Sequence, residues 1–356
     1  MAATQKRMLM KGTEAIAEAA IRAGCKYFFG YPITPQNEIP EYMSKRLPQV
    51  GGTYLQAESE VSAANMLYGA GGSGVRVMTS SSSPGVALMA EGFSYMVGAE
   101  VPVVVVNIMR GGPGLGDIAP SQGDYHMCTK GFGHGDKKAI VLAPSTVQET
   151  VDMMGLAFDL ADTYRNPVVV IGDGLIGQMM EPVTFPEGEP KKFDKPWATT
   201  GKTPDRERNV INSLFLDPEI MEQHVEHLFK KFDVMEQKEQ RWEDYQLEDH
   251  PQIVLCAYGT TARICKTAMR ELRKQGVKVG MFRPITAWPF PFAALKKHVE
   301  TTKVFLTIEM SKGQMIDDVR YAVEGKRPVK FFGHTGGIVP TVEEIIAQVK
   351  QLQASL

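Results

Sequence analysis

The sequence predicts a doubly wound α/β domain built on a parallel sheet, followed by a second, smaller α/β domain. Three observations carry this. Apolar strand-like runs alternate with helix-like stretches over the first 185 residues, the rhythm of strand–helix–strand crossovers. Val101 to Met109 (VPVVVVNIM) is almost continuously apolar, as a strand buried on both sheet faces must be. After a break rich in prolines and charges, the same alternation resumes at Gln252. The chain therefore divides into an α/β domain over residues 1–185, a charged and partly helical linker over 186–250, and the smaller α/β domain over 251–356.

Taken in order, Thr13 to Ala23 has an amphipathic helical pattern, and Gly24 suits its C-terminal cap. Cys25 to Gly30 reads as a short buried strand. The YPITPQNEIP that follows cannot be regular, because Pro32 and Pro35 fix an extended backbone around Thr34. A loop leaving a parallel strand lies at its carboxyl end, where open α/β sheets bind ligands. Thr34 therefore either faces a site or belongs to a proline-stiffened turn. Tyr54 to Gln56 reads as another strand, and Ala57 to Gly71 as a helix with Glu58 and Glu60 in its first turn. The helix dipole stabilises acids there without any function. That helix is thin, since Ser62, Ala63, Ala64, Gly69, Ala70, Gly71 and Gly72 leave room for a flat group or another backbone.

Val75 to Thr79 gives a strand, and SSSSPG turns it into a helix over Gly85 to Val97, with Ser83 as N-cap and Pro84 in the first position. Capping accounts for one serine and leaves three unexplained. Arg110 ends the apolar strand at the same sheet edge, ahead of GGPGLGD. It suits a bidentate grip on a carboxylate, or a surface salt bridge. Gly111 to Gly135 reads as a long loop over the site, with His126 and His134 as polar surface. KAIVLAPST, a helix from Val147 to Tyr164, and PVVVIGDG complete the domain. In the linker, Met221, Val225, Leu228, Phe232 and Met235 form an apolar stripe on a charged helix, so that helix lies against something. His224 and His227, on its polar flank, read as solvated. Beyond Gln252 come four strands (IVLCAYG, VKVGMFRPI, KVFLTIEM, VKFFG) and helices, the last from Thr341 to Gln353.

Composition excludes several classes. With 43% hydrophobic and 22% charged residues and a net charge of -2, the chain reads as an ordinary soluble globular protein. No basic cluster marks a nucleic-acid surface, and no apolar run approaches the roughly 20 residues of a membrane helix. The first residues lack the apolar core of a signal peptide, which gives a cytoplasmic expectation. Cys25, Cys128, Cys256 and Cys265 are scattered, so neither a disulfide nor an iron–sulfur cluster held by this chain alone is expected. The GDG at Gly172 to Gly174 would open a metal–diphosphate site if Asn followed after about thirty residues. The first downstream Asn is Asn209, 35 residues beyond Gly174, so GDG reads as a turn after a strand. A nicotinamide-binding dehydrogenase is disfavoured by the missing glycine fingerprint.

The combination GYPITP (Gly30 to Pro35), ESE (Glu58 to Glu60), TSSSSPG (Thr79 to Gly85), EGFSYMVGAEVP (Glu91 to Pro102) and RGGPGLGD (Arg110 to Asp117) resembles the α subunit of 2-oxoacid:ferredoxin oxidoreductases. AYGTTAR (Ala257 to Arg263), RPITAWPFP (Arg283 to Pro291) and EMSKGQM (Glu309 to Met315) extend the likeness to the second domain, in the same order. Length and EMSKGQM look most similar to the branched-chain (3-methyl-2-oxobutanoate) members, with the 2-oxoglutarate members as the alternative. The resemblance implies a thiamine diphosphate pyrimidine-binding domain followed by a transketolase C-terminal-like domain. It implies an enzyme subunit for oxidative decarboxylation of a 2-oxoacid to acyl-CoA and carbon dioxide, with electrons passed to ferredoxin and coenzyme A as co-substrate. A β subunit would carry the diphosphate, Mg2+ and [4Fe-4S], alongside γ and ferredoxin-like δ subunits, with no nucleic acid or membrane involved. By resemblance, Glu60 is the catalytic acid that hydrogen-bonds N1′ of the aminopyrimidine. Pro32, Ile33, Ser82 and Ser83 join it in holding the cofactor, Thr34 and Arg110 hold the 2-oxoacid, and no metal ligand falls on this chain. Gln36 and Asn37 stand where the family is often Ser-rich. A reading from a different class is a non-catalytic assembly subunit.

Overall fold

The computed structural model describes residues 7–356, which fold around three sheets. The first part of the chain contains β1 (Met8–Lys11), α1 (Gly12–Arg22), β2 (Tyr27–Gly30), α2 (Glu38–Gln49), β3 (Thr53–Gln56), α3 (Glu60–Gly72), β4 (Val77–Ser81), α4 (Pro84–Leu88) and α5 (Ala90–Gly98). It continues with β5 (Val104–Met109), β6 (Ile140–Leu142), α6 (Val147–Tyr164), β7 (Val168–Asp173), α7 (Gly174–Gln178) and β8 (Met180–Val183). After a long irregular stretch come α8 (Pro218–Lys238), β9 (Trp242–Tyr245), β10 (Ile253–Cys256), α9 (Gly259–Lys274), β11 (Val279–Pro284) and β12 (Thr286–Trp288). Last are α10 (Phe292–Lys296), β13 (Val304–Glu309), α11 (Met315–Val323), β14 (Val329–Gly333) and α12 (Val342–Ala354). Among the described residues no helix is long and apolar enough to cross a membrane.

The larger sheet runs β12-β6-β7-β5-β4-β2-β3 and is parallel except where β12 joins β6. Its centre, β5 and β7, is buried along its whole length, as the apolar run in the sequence requires. The smaller sheet runs β14-β13-β10-β11-β9, parallel except for its edge strand β9. Each sheet thus ends in a strand that the alternation did not foretell. β9 lies inside the segment read as linker, and β12 leaves the second unit to pair with the first. β1 and β8 form a separate antiparallel ribbon.

Other differences have local causes. α2 was not anticipated behind its prolines. Pro40 sits in its first turn, where a missing N–H costs nothing, and the buried Ile39, Met43 and Leu47 recur every four residues on its inner face. The helix expected over Gly85 to Val97 is two helices that meet at Met89. On α8 the stripe is buried at Leu228, Phe232 and Met235, but Met221 is 38% exposed. His224 is a half-buried docking contact on the end of α5, whereas His227 is exposed, as expected, and also touches an acid just beyond that helix. His224 Nε2 meets the Gly98 carbonyl at 2.7 Å, and His227 Nε2 meets Glu100 Oε2 at 3.1 Å.

The two α/β units meet over a buried cation. Arg283, on β11 and 1% exposed, reaches Glu149 on α6 at 2.5 and 2.9 Å and Glu243 on β9 at 3.1 Å. Burial works against the charge on Glu149, but the hydrogen bonds and charge of Arg283 outweigh it and hold the carboxyl below its ordinary value. Arg283→Met takes the cation from Glu149, whereas Glu243 keeps Lys266 at 2.7 and 2.8 Å, and is expected to cost about 3 kcal/mol at neutral pH, read by denaturant unfolding. Because the folded-state pKa of Glu149 is depressed, its contribution is present above the unfolded value and lost as pH falls through the folded one. The gap between wild type and variant should therefore close as pH drops below about 4.

Candidate active site

The chain runs from β2 outward to β3 and then returns past β2 to β4, so the strand order reverses between β2 and β4. Such a switch point leaves a crevice beyond the carboxyl ends of the strands. Parallel pairing delivers the segments after β2, β3, β4 and β5 to that one edge, and with them Thr34, Glu60, Ser82, Ser83 and Arg110.

Glu60 opens α3 directly after its N-cap, Ser59, whose Oγ accepts the Ser62 N–H at 3.4 Å. Glu58, expected in the first turn, instead precedes the helix and accepts the hydroxyls of Ser59 and Ser62 at 3.2 and 3.0 Å. Glu60 is 6% exposed, at the helix end whose dipole favours negative charge. Its Oε1 accepts the Ser81 hydroxyl at 3.4 Å. It also lies against Gly85, where a Cβ would fall 2.3 Å from that oxygen and 2.2 Å from Ser81 Oγ. A glycine is therefore required beside this carboxylate.

Strand alternation sends the four serines to different partners. All are buried. Ser80 Oγ donates to Gln36 Oε1 at 2.5 Å, and Ser81 donates to Glu60. Ser82 Oγ is buried with no hydrogen-bond partner among the described residues. Ser83 precedes α4 as the sequence suggested, but its side chain does not cap the helix. At φ 28° and ψ −86° it is held in a region that non-glycine residues avoid. Its hydroxyl donates to Asp124 Oδ2 at 2.6 Å and accepts the Arg110 N–H at 3.0 Å, and its own N–H donates to Asn107 Oδ1 at 3.0 Å. Asn107 Nδ2 also donates to Asp124 Oδ2 at 3.0 Å. Burial pushes the Asp124 carboxyl above its ordinary value, against the bonds from Ser83 and Asn107. Asp124 and Asn107 were missed in the sequence, although Asn107 is the lone polar residue of an apolar strand and that oddity was a usable signal.

Arg110 is 6% exposed and ties down the β2 loop. One terminal nitrogen donates to the Thr34 carbonyl at 2.9 Å and the other to the Leu115 carbonyl at 3.0 Å, while Nε is buried without a partner among the described residues. Each terminal nitrogen has a second N–H, so the fork retains donors. Thr34 Oγ1 accepts from Asn37 Nδ2 at 3.3 Å, and Pro32 and Ile33 complete the loop, with the Ile33 carbonyl accepting the Gln36 N–H at 3.1 Å. A cleft of about 710 Å³ opens between the units, lined by Ser83, Arg110, Asp124, Met127, Met310 and Lys312 among others. Glu60 lies outside it, separated by the turn through Ser81 to Gly85. The cleft thus holds Ser83 and Arg110 but not Glu60.

Two further expectations resolve. The thin α3 packs closely at two places: a Cβ on Gly92 would lie 2.8 Å from Ala64 Cβ, and one on Gly71 would lie 2.5 Å from Val101 Cγ1. Asp173 of GDG is a helix cap, accepting the N–H groups of Leu175 and Ile176 at 2.9 and 3.2 Å.

Residues 18–246 match the family described as pyruvate flavodoxin/ferredoxin oxidoreductase, thiamine diphosphate-binding, and residues 252–345 match pyruvate:ferredoxin oxidoreductase core domain II. The chain is 44% identical to the ketoisovalerate oxidoreductase subunit VorB of Methanothermobacter marburgensis, over 97% of each chain. It is 38% identical to the 2-oxoglutarate synthase subunit KorA of Methanocaldococcus jannaschii, over 94% of this chain and 97% of that one. Among solved structures, 2-oxoglutarate:ferredoxin oxidoreductase from Magnetococcus marinus, with 2-oxoglutarate, coenzyme A and succinyl-CoA bound, superposes with a TM-score of 0.88 at 27% identity. The match covers 98% of this chain and 65% of that chain. A split-gene transketolase (TM-score 0.59, 13% identity, 96% and 97% of the two chains) shares the fold.

Gly85→Ala should force Glu60 and Ser81 aside and cost about 1–3 kcal/mol by thermal unfolding. Gly69→Ala, whose Cβ meets nothing within 4 Å, should instead stabilise α3 by about 0.5–1 kcal/mol.

Proposed function

Starting from the fact that the chain belongs to the 2-oxoacid:ferredoxin oxidoreductase family, we propose that it is the pyrimidine-binding subunit of a cytoplasmic, branched-chain-type complex. That complex converts 3-methyl-2-oxobutanoate and coenzyme A to acyl-CoA and carbon dioxide and reduces ferredoxin. The single observation that carries the reading is the placement of Glu60, a buried carboxylate at the first position of α3, against a glycine at the sheet edge where the strand order reverses.

The chain's own residues fit thiamine diphosphate. Ser82 Oγ is a buried hydroxyl left for a ligand, and Glu60 Oε1 is met within the chain by one long hydrogen bond. When bound, the cofactor supplies a nucleophilic carbon that adds to the 2-oxo group and holds the electrons left when carbon dioxide departs. Glu60 shares a proton with the ring nitrogen N1′ of the aminopyrimidine, which is general acid–base work of the ordinary kind. Ser82, Ser83 and the Pro32–Ile33 backbone hold that half of the cofactor. Arg110, with Thr34 alongside, offers its spare N–H groups to the 2-oxoacid carboxylate. The division into units at 1–185, 186–250 and 251–356 belongs to the same proposal.

Mg2+, the diphosphate and [4Fe-4S] are assigned to a β subunit, with γ and δ subunits completing the complex. On this chain the four thiols are buried in separate elements, and burial pushes Cys25 and Cys128 up to about 12. Similarity to 2-oxoglutarate enzymes at 38% identity keeps that substrate as the alternative.

In the assembled complex, Glu60→Gln should lower the rate of ferredoxin reduction by about 100-fold or more. Wild-type turnover in that variant would defeat the reading. A substrate panel should give kcat/KM for 3-methyl-2-oxobutanoate at least about tenfold above that for 2-oxoglutarate, a modest demand on an apolar pocket. The reverse order would reassign the substrate.

A further inference from the structure

We propose that Gln314, on the second α/β unit, is a positioning residue for Arg110 on the first, acting through Asp124 and Ser83. The inference rests on the reading of Arg110 as the group that holds the 2-oxoacid carboxylate.

Residues 121–124 belong to no helix or strand, yet they carry a half-buried carboxylate into the cleft. The second unit holds this segment from both ends. Gln314 Nε2 donates to the Gly123 carbonyl at 2.6 Å, and Gln314 Oε1 accepts the His126 N–H at 2.8 Å. Gln122, wholly buried, exchanges bonds with Met310: its N–H donates to the Met310 carbonyl at 2.9 Å, and its Oε1 accepts the Met310 N–H at 3.0 Å. Gln314 is itself fixed, because its N–H donates at 3.0 Å to Glu309, the buried carboxylate that ends β13.

Asp124 sits between these two clamps. It accepts the Ser83 hydroxyl, and the same Ser83 oxygen accepts the Arg110 N–H. A continuous path of short contacts therefore runs from the amide of Gln314, through three residues of the first unit, to the backbone that aims the guanidinium. Ser83 is the weak member of the path. Its φ of 28° is a conformation that persists only when its surroundings enforce it. Asp124 and Asn107 supply that restraint, and Asp124 stays in place because the second unit grips the residues on either side. Loss of the grip lets Ser83 relax and moves Arg110 relative to Thr34, whose carbonyl accepts from the Arg110 guanidinium at 2.9 Å. A displacement near one ångström in such a group can cost about 100-fold.

The test uses the assembled complex with 3-methyl-2-oxobutanoate, coenzyme A and ferredoxin, and reads KM for each substrate, kcat and the unfolding midpoint. Gln314→Ala and Asp124→Ala are expected to raise KM for the 2-oxoacid at least tenfold, with kcat reduced less than threefold and KM for coenzyme A unmoved. Asp124→Asn, which keeps an oxygen to accept from Ser83 and Asn107, is expected to bring KM back at least threefold below that of Asp124→Ala. Arg110→Gln serves as the reference. If it leaves KM for the 2-oxoacid unchanged, the substrate reading of Arg110 falls and the relay with it. If Arg110→Gln raises KM and Gln314→Ala does not, the relay alone is overturned. Equal rises in KM for both substrates, or a lowered unfolding midpoint with no change in KM, also overturn it by showing a merely structural role. Should Asp124→Ala fail to assemble, Gln314→Ala decides the question, since it removes only the side-chain amide.

Discussion

The structure depends on a carboxamide that has no access to water. Gln122 is completely buried, and a buried amide must have its groups paired or cost a few kcal/mol. Its side-chain partners are all on the second unit: the Tyr258 carbonyl at 2.9 Å, the Thr261 hydroxyl at 3.2 Å and the Met310 N–H at 3.0 Å. The two α/β units can therefore adopt only a relative position that satisfies this side chain, and that position decides where the loop with Asp124 lies. Gly259, at φ 54°, contributes by omission, because a Cβ there would press on Gln122 Nε2 at 3.2 Å.

The fold was legible where burial writes a pattern. β5 announced itself as an apolar run because both its faces are covered, and α6 was read with its bounds intact because Thr146 caps it and its apolar face is regular. The strands β1, β8, β9 and β12 were not legible. Each is three or four residues long and lies at an edge or in a ribbon, too short for a period to be counted. α2 was hidden by prolines that the first helical turn tolerates. The break at Met89 was hidden because α4 and α5 have similar compositions.

Site residues were legible when their type and their place at a strand end both spoke. Glu60, Ser82, Ser83, Thr34 and Arg110 all lie on the edge where the sequence put them, and their roles toward substrate and cofactor remain a proposal. What the sequence could not convey was how they are shared out. The cleft holds Ser83 and Arg110, whereas Glu60 lies outside it against Gly85 and Ser81. Capping was to account for one serine of the run, whereas Ser83 does not cap and the hydroxyls of Ser80, Ser81 and Ser83 serve Gln36, Glu60 and Asp124 in turn. Asp124 and Gln314 could not be found at all, since each matters only through contacts made across the junction.

β12 deserves a different kind of reading. Three residues from the C-terminal half of the chain complete the outer edge of the N-terminal half's sheet, covering the hydrogen-bonding groups of β6. An evolutionary or laboratory split of the gene near residue 250 would therefore produce a first piece with a bare strand edge, the kind of surface that recruits stray strands into aggregates. Sequence comparison divides this protein neatly into two modules. Its hydrogen bonding does not, because the outer edge of the first module's sheet is completed by the second.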